Sequence, residues 1–181
     1  MVHSPFDYTS RSALFVASDP RLVPPSPSAG FTARQSYLDT LAREVLYWVR
    51  LTRGNALVLF SSAADLQAVH TRMLADSPKL EYPVFAQGLM TPNDALKSYT
   101  EAAREMMKER PRTGPVLLGL QSFWEGVSLK GPMLLNVIIA KLAEANGRAE
   151  ANIEKISTVE RDARFSIVNL SLKERNRIHL A

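Results

Sequence analysis

The chain has no cysteine among its 181 residues. That excludes disulfides, thiolate nucleophiles and cysteine-held iron–sulfur clusters. Histidine is almost as scarce. His3, His70 and His179 are too far apart to hold a metal ion by local spacing, and no Ser-His-Asp set suggests itself. No apolar run approaches the ~20 residues that cross a bilayer. The opening MVHSPFDYTS lacks the basic-then-apolar pattern of a secretory signal. The expectation is therefore a cytoplasmic protein with no membrane partner. The phosphate-binding G-x-x-x-x-G-K-[ST] and the dinucleotide-binding G-x-G-x-x-G are both missing. Charge is also nearly balanced, at a formal +4. Arg11, Arg50, Arg72, Lys108, Arg112, Lys130 and Lys155 are spread along the chain rather than clustered, so they read mainly as solvated surface, with a slight bias toward a polyanion partner.

What is present suits one soluble globular domain: 46% apolar and 22% charged residues allow a sizeable core. ALFVAS reads as a short strand. DPRLVPPSPSAG, rich in Pro and Ser, reads as an extended loop. Leu38, Leu41, Ala42, Val45 and Val49 fall at helical spacing between Arg34 and Arg53, and Gly54 supplies the stop. NALVLFSS is a strand with successive apolar residues, the pattern of a parallel sheet covered on both faces. A helix carrying Leu66, Val69, Met73 and Leu74 on one stripe follows. YPVFAQG is a shorter strand. In TPND, Thr91 is a cap and Pro92 the first residue of a helix that turns Leu96, Tyr99, Ala103 and Met106 inward. GPVLLGLQ and LLNVIIAK are two further buried strands. The alternation predicts a doubly wound α/β domain, whose ligands sit beyond the carboxyl ends of the strands.

Three places there carry polar residues. Ser61 and Ser62 follow LVLF; they suit an anion at a helix start, while Ser62 with Asp65 also has capping-box spacing. Gln87-Gly88 follows PVFA; a polar residue and Gly at a strand end could approach a ligand backbone, although a plain turn is the commoner reading. QSFWEGVSLKG, Gln121 to Gly131, is the unusual one. Trp124 suits a core anchor, but Glu125 beside it is a carboxylate at a strand end, able to orient a water, meet a cation or bond a ribose. Read as residues, this is an α/β domain with a candidate anion site and an unidentified partner.

Three segments, in this order, resemble the second motor domain of DinG/XPD-type superfamily-two helicases. SPFDY (Ser4 to Tyr8) is similar to the start of that domain. NALVLFSS is similar to its motif IV (aLvLFtS), and LLGLQSFWEGVSLKG to its motif V (lfgtxSFWEGVDxxG). LLNVIIAKL fits the next strand, so the resemblance spans about Ser4 to Leu142. It implies a RecA-like doubly wound, mainly parallel sheet with helices on both faces over residues 1–142. It also implies a partner domain carrying the phosphate loop and Mg²⁺ site, with ATP between the two and single-stranded DNA across both. Carried over, Ser61, Ser62 and Ser122 become contacts to the nucleic-acid backbone. Glu125, Gly126 and Ser128 become the ATP-facing edge, and Trp124 packs to hold the loop. Such backbone contacts bind without reading sequence and weaken with salt.

The departures are specific. Ser128 stands where the family has Asp. After Leu142 the family continues KLPF and then QxxGRxxR, whereas this chain reads KLAEANGRAEANIEK. Arg148 is the candidate for the arginine finger that stabilises transferring phosphate charge, but it has no preceding Gln and Ala151 replaces the second Arg. Residues 143–181 are expected as a divergent extension packed on the same domain, with RFSIVNLSL as an edge strand. The expected protein is thus the carboxyl-terminal motor domain of a DinG-type ATP-dependent DNA helicase. It needs ATP, Mg²⁺ and a separate first motor domain for hydrolysis, holds no metal itself, and is inactive alone. The alternatives are a non-catalytic remnant that binds nucleic acid or protein, and a small-molecule-binding α/β protein.

Overall fold

The computed structural model describes residues 13–17, 19–76, 82–108, 113–124, 127, 129, 131–140 and 165–168. The strands are β1 (Ala13–Val16), β2 (Ala56–Leu59), β3 (Val84–Ala86), β4 (Val116–Gly119), β5 (Asn136–Ile139) and β6 (Phe165–Val168). The helices are α1 (Gly30–Leu51), α2 (Ala63–Ala75) and α3 (Pro92–Met106). All six strands form one sheet in the order β1-β6-β5-β2-β4-β3, and every pairing is parallel.

Both faces of the sheet are buried. Ala56 and Val58 of β2, Val116 and Leu118 of β4, and Ile138 of β5 join one core with α1 and α2. The alternate residues Leu57, Leu59, Leu117, Val137 and Ile139 join a second core with α3. Because strand side chains alternate between faces, a strand apolar throughout must be covered twice, and here it is. The fold is the doubly wound parallel α/β arrangement expected.

Helices α2 and α3 start where their side-chain caps stand. Thr91 Oγ1 accepts from Asp94 N at 3.2 Å, and Pro92 sits where its missing N–H costs nothing. Ser62 Oγ accepts from Asp65 N at 3.4 Å. Asp65 is buried and paired with Arg34, so α2's first turn is tied to α1. Arg72 reinforces the contact through Asp39 at 2.6 Å and Gln35 at 2.5 Å, and Arg50 pairs with Asp76.

Four expectations are corrected. The Pro-rich segment is not wholly extended: Pro20–Leu22 and Pro27–Ala29 form 3₁₀ turns, and Leu22 is buried in the α1 core. Proline at the first position of each turn has the φ the turn needs. Helix α1 begins at Gly30, earlier than its apolar stripe suggests. Leu74 is exposed, because α2 packs along Leu66, Val69 and Met73 alone. Lastly, β6 is not an edge. It lies between β1 and β5, since backbone rungs make the ladder and the connections, not residue polarity, decide strand order.

The end of α1 is a Schellman motif in which Gly54 is not the first left-handed residue. Arg53, Gly54 and Asn55 all have positive φ, at 55°, 78° and 50°. Arg53 N bonds Arg50 O at 3.1 Å and Gly54 N bonds Val49 O at 2.8 Å. The turn then fastens the amino ends of the sheet. Gly114 N donates to Arg53 O at 2.9 Å, and Leu135 N and Asn136 N donate to Asn55 O at 2.8 and 3.2 Å. A Cβ on Gly54 would lie 1.8 Å from Gly114 O. Gly54→Ala is therefore expected to cost about 2–5 kcal/mol, the sum of a strained φ and a backbone overlap. Urea unfolding checks this, and an unchanged midpoint contradicts it.

Candidate functional site

The carboxyl ends of β2, β4 and β3, neighbours in the sheet, bring three of the sequence candidates to one edge. Phe60 N donates to Gly119 O and Gln87 N to Leu118 O, both at 2.9 Å, so the three strand exits are still joined where the loops begin. Ser61 is exposed and Ser62 half-buried beyond β2. Ser122 is exposed beyond β4.

The β4 exit is built around two aromatics. Residues Gln121–Phe123 form a 3₁₀ turn, closed by Phe123 N to Leu120 O at 2.9 Å and Trp124 N to Gln121 O at 3.1 Å. Phe123 is 2% exposed and Trp124 8%. Both lie in the α3-side core with Tyr99, Leu117 and Leu134. Phe123 lies directly over Gly119: a Cβ there would come within 2.7–2.9 Å of the ring and its Cβ. The smallest side chain at the end of β4 is what lets the ring fold back onto the strand. Leu129 is buried in the same cluster and Val127 packs against it. With its neighbours held down on the core side, Ser122 is left on the surface. Trp124 thus packs as the sequence implied.

Tyr99, whose helix carries this core, donates from its hydroxyl to Met133 O at 2.6 Å. Burial pushes its phenol well above the ordinary tyrosine range, so it remains a neutral donor.

Gln87 is the residue the sequence placed chiefly in a turn. Gly88, at φ 98°, does make a turn, but Gln87 Oε1 reaches back to β4. It accepts from Leu120 N at 2.8 Å and from Ser122 Oγ at 3.1 Å. The signal was a polar side chain directly after a strand, at the edge where ligands are expected.

Ser62 serves as the cap of α2, with its oxygen turned to Asp65 N. The Arg34 pairing keeps the Asp65 carboxylate turned to a cation, which preserves the positive character of the helix start. Among the described basic side chains, Arg21, Arg34, Arg50, Arg72 and Lys108 are each in ion pairs. What the described residues of the edge offer a ligand is hydroxyls and amides. Glu125, Gly126, Ser128 and Arg148 lie outside the described residues. Among the described residues no group of His, Cys, Asp or Glu is placed to hold a metal ion, and no helix is long and apolar enough to cross a membrane.

Trp124→Ala is expected to destabilise the domain by about 3 kcal/mol, as truncation of a buried aromatic does. Ser122→Ala should cost less than about 1 kcal/mol, the loss of one exposed hydrogen bond. Denaturant titrations of the two variants check the contrast, and equal costs would refute the division into anchor and surface residue.

The family model of the helicase C-terminal domain matches residues 45–174. The protein named 3'-5' exonuclease DinG of Bacillus subtilis (strain 168) is 24% identical over 143 residues, covering 78% of this chain and 14% of that protein. Among solved structures, the crystal structure of T4 UvsW is similar with a TM-score of 0.49 at 14% identity, over 80% of this chain and 28% of that one. The Mss116p DEAD-box helicase domain 2 bound to an RNA duplex gives 0.46 at 10% identity, over 76% and 51%.

Proposed function

Because the chain belongs to the helicase C-terminal domain family, we propose that it is the second motor domain of a DinG-type ATP-dependent DNA helicase, with the β2–β4–β3 edge turned to single-stranded DNA. The observation that carries this reading is the β4 exit. There, Phe123 and Trp124 are buried and Ser122 is presented beside the exit of β2, which Ser61 and Ser62 follow. Hydroxyls in a row beyond parallel strands suit the phosphates of a nucleic-acid backbone, which take hydrogen bonds without regard to base.

On this reading Ser61, Ser62 and Ser122 touch the DNA backbone. Glu125, Gly126 and Ser128, next along the same loop, face ATP, and Arg148 is the candidate for the finger. ATP and Mg²⁺ are held by a first motor domain, since these 181 residues contain no phosphate-binding loop. When bound, the nucleotide and its metal supply the phosphoryl chemistry. This chain's residues grip the strand and complete one wall of the nucleotide cleft. The DinG of Bacillus subtilis carries the name of an exonuclease, but the chain spans only 14% of its length, and nuclease activity is not part of the proposal.

The chemistry of the edge sets the expected binding. Hydroxyl contacts neutralise no phosphate charge, so few counterions are released. The log–log salt dependence of affinity for a single-stranded oligonucleotide is expected to lie between zero and about −2, with equal affinity for different base compositions. The triple variant Ser61→Ala, Ser62→Ala, Ser122→Ala should lose at least about tenfold, at roughly 0.5–1.5 kcal/mol per bond. The chain alone should not turn over ATP. Fluorescence anisotropy and a phosphate-release assay test these points. DNA-stimulated ATP hydrolysis by the pure chain, or binding indifferent to the three serines, would overturn the reading.

A further inference from the structure

Gln87 completes a hydrogen-bond ladder in an unusual way. In a parallel pair each residue donates to one neighbour and accepts from a residue two further along the same strand. Gln87 N donates to Leu118 O at 2.9 Å, so the next rung would run from Leu120 N to the backbone carbonyl of residue 87. Instead, the side-chain oxygen takes that bond at 2.8 Å. The chain is thereby free to turn away at Gly88, φ 98°, while β4 keeps one more rung. The same oxygen accepts from Ser122 Oγ at 3.1 Å.

The geometry leaves no ambiguity about the donors. A backbone N–H can only donate, so the amide must present its oxygen to Leu120 and to Ser122. The single hydroxyl hydrogen of Ser122 therefore points at Gln87, and both the place of Oγ and the direction of its hydrogen are set by a residue on another strand.

We propose that Gln87 is a positioning residue for DNA binding: it seats the β4 exit loop and holds the Ser122 hydroxyl at the strand edge, from which that hydroxyl turns its hydrogen to a backbone phosphate. This rests on the reading of Ser122 as a DNA contact. A phosphate oxygen only accepts, so on binding the Ser122 hydrogen leaves Gln87 for the phosphate, while Leu120 N keeps the loop in place. Gln87 does not touch the ligand itself; it acts through the place of the Ser122 hydroxyl, which the bond from Leu120 N keeps at the strand edge.

The test is a double-mutant cycle on the full chain, reading the Kd for a single-stranded oligothymidine by fluorescence anisotropy. Gln87→Met should weaken binding about fivefold in the wild-type background, the size of one ordinary hydrogen bond. In the Ser122→Ala background the same change should cost less than about twofold, because residues acting through one contact are not additive. An equal loss in both backgrounds, or none in either, overturns the proposal. Where Gln87→Met does not fold, Gln87→Asn, which keeps the amide but draws it back by one methylene, takes its place in the same cycle. Wild-type binding that Ser122→Ala leaves unchanged sinks the reading of Ser122 and this proposal with it. Binding that falls with Ser122→Ala but ignores Gln87 sinks this proposal alone.

Discussion

The packing of Phe123 and Trp124 against the α3 face of the sheet is the interaction on which the site depends. A loop leaving a parallel strand has no further ladder to hold it, and most such loops are placed only by their ends. Here two large rings are buried immediately after β4, and Gly119 leaves the space that Phe123 fills. Burying rings of this size stabilises by several kcal/mol in total, at about 2–3 kcal/mol each. That is more than a short surface turn needs to remain ordered. The polar residue between strand and rings is consequently held at the surface in a defined position.

The two ends of the sheet are organised differently. At the amino end, polar groups are buried and bonded mainly through the backbone, while the side-chain oxygens of Asn55 and Asn136 have no hydrogen-bond partner among the described residues. Asn136 is fully buried at the start of β5, its amide 3.4 Å from Thr52 Oγ1, and the Arg53–Asn55 turn clamps β4 and β5 to α1. At the carboxyl end the polar groups are Ser61, Ser62, Gln87 and Ser122, all exposed or half-buried. One end is buried beneath its own turn, and the other presents hydroxyls and an amide to the outside. This asymmetry is the physical content of the rule that ligands of open parallel sheets bind at the carboxyl edge.

Much of this was legible in the sequence, for identifiable reasons. Continuous apolar strands such as ALVL and VLLG announce a sheet covered on both faces, and Thr91-Pro92 marks a helix start by chemistry that acts within four residues. Trp124 could be read as an anchor because an exposed ring of that size is costly. The errors lie where distance along the chain is large. The position of β6 inside the sheet depends on partners β1 and β5, which no local pattern encodes. The burial of Leu22 depends on α1 lying over it. Gln87 looked like half of a turn because its partners, Leu120 and Ser122, are more than thirty residues away. The left-handed run at Arg53–Asn55 was hidden for the same reason: the glycine signals a helix stop, but its need for space comes from Gly114.

The central claim is that the exits of β2, β4 and β3 form one nucleic-acid-facing edge. Amide-resolved NMR of the chain, titrated with a short single-stranded oligonucleotide, tests it most directly. The account predicts that shift changes concentrate at Ser61, Ser62, Gln87 and Leu120 to Trp124, with α1 and α2 beyond its first turn unmoved. Shift changes centred instead on the opposite region of the molecule, at Arg43, Tyr47 and Arg50 of α1, would contradict it.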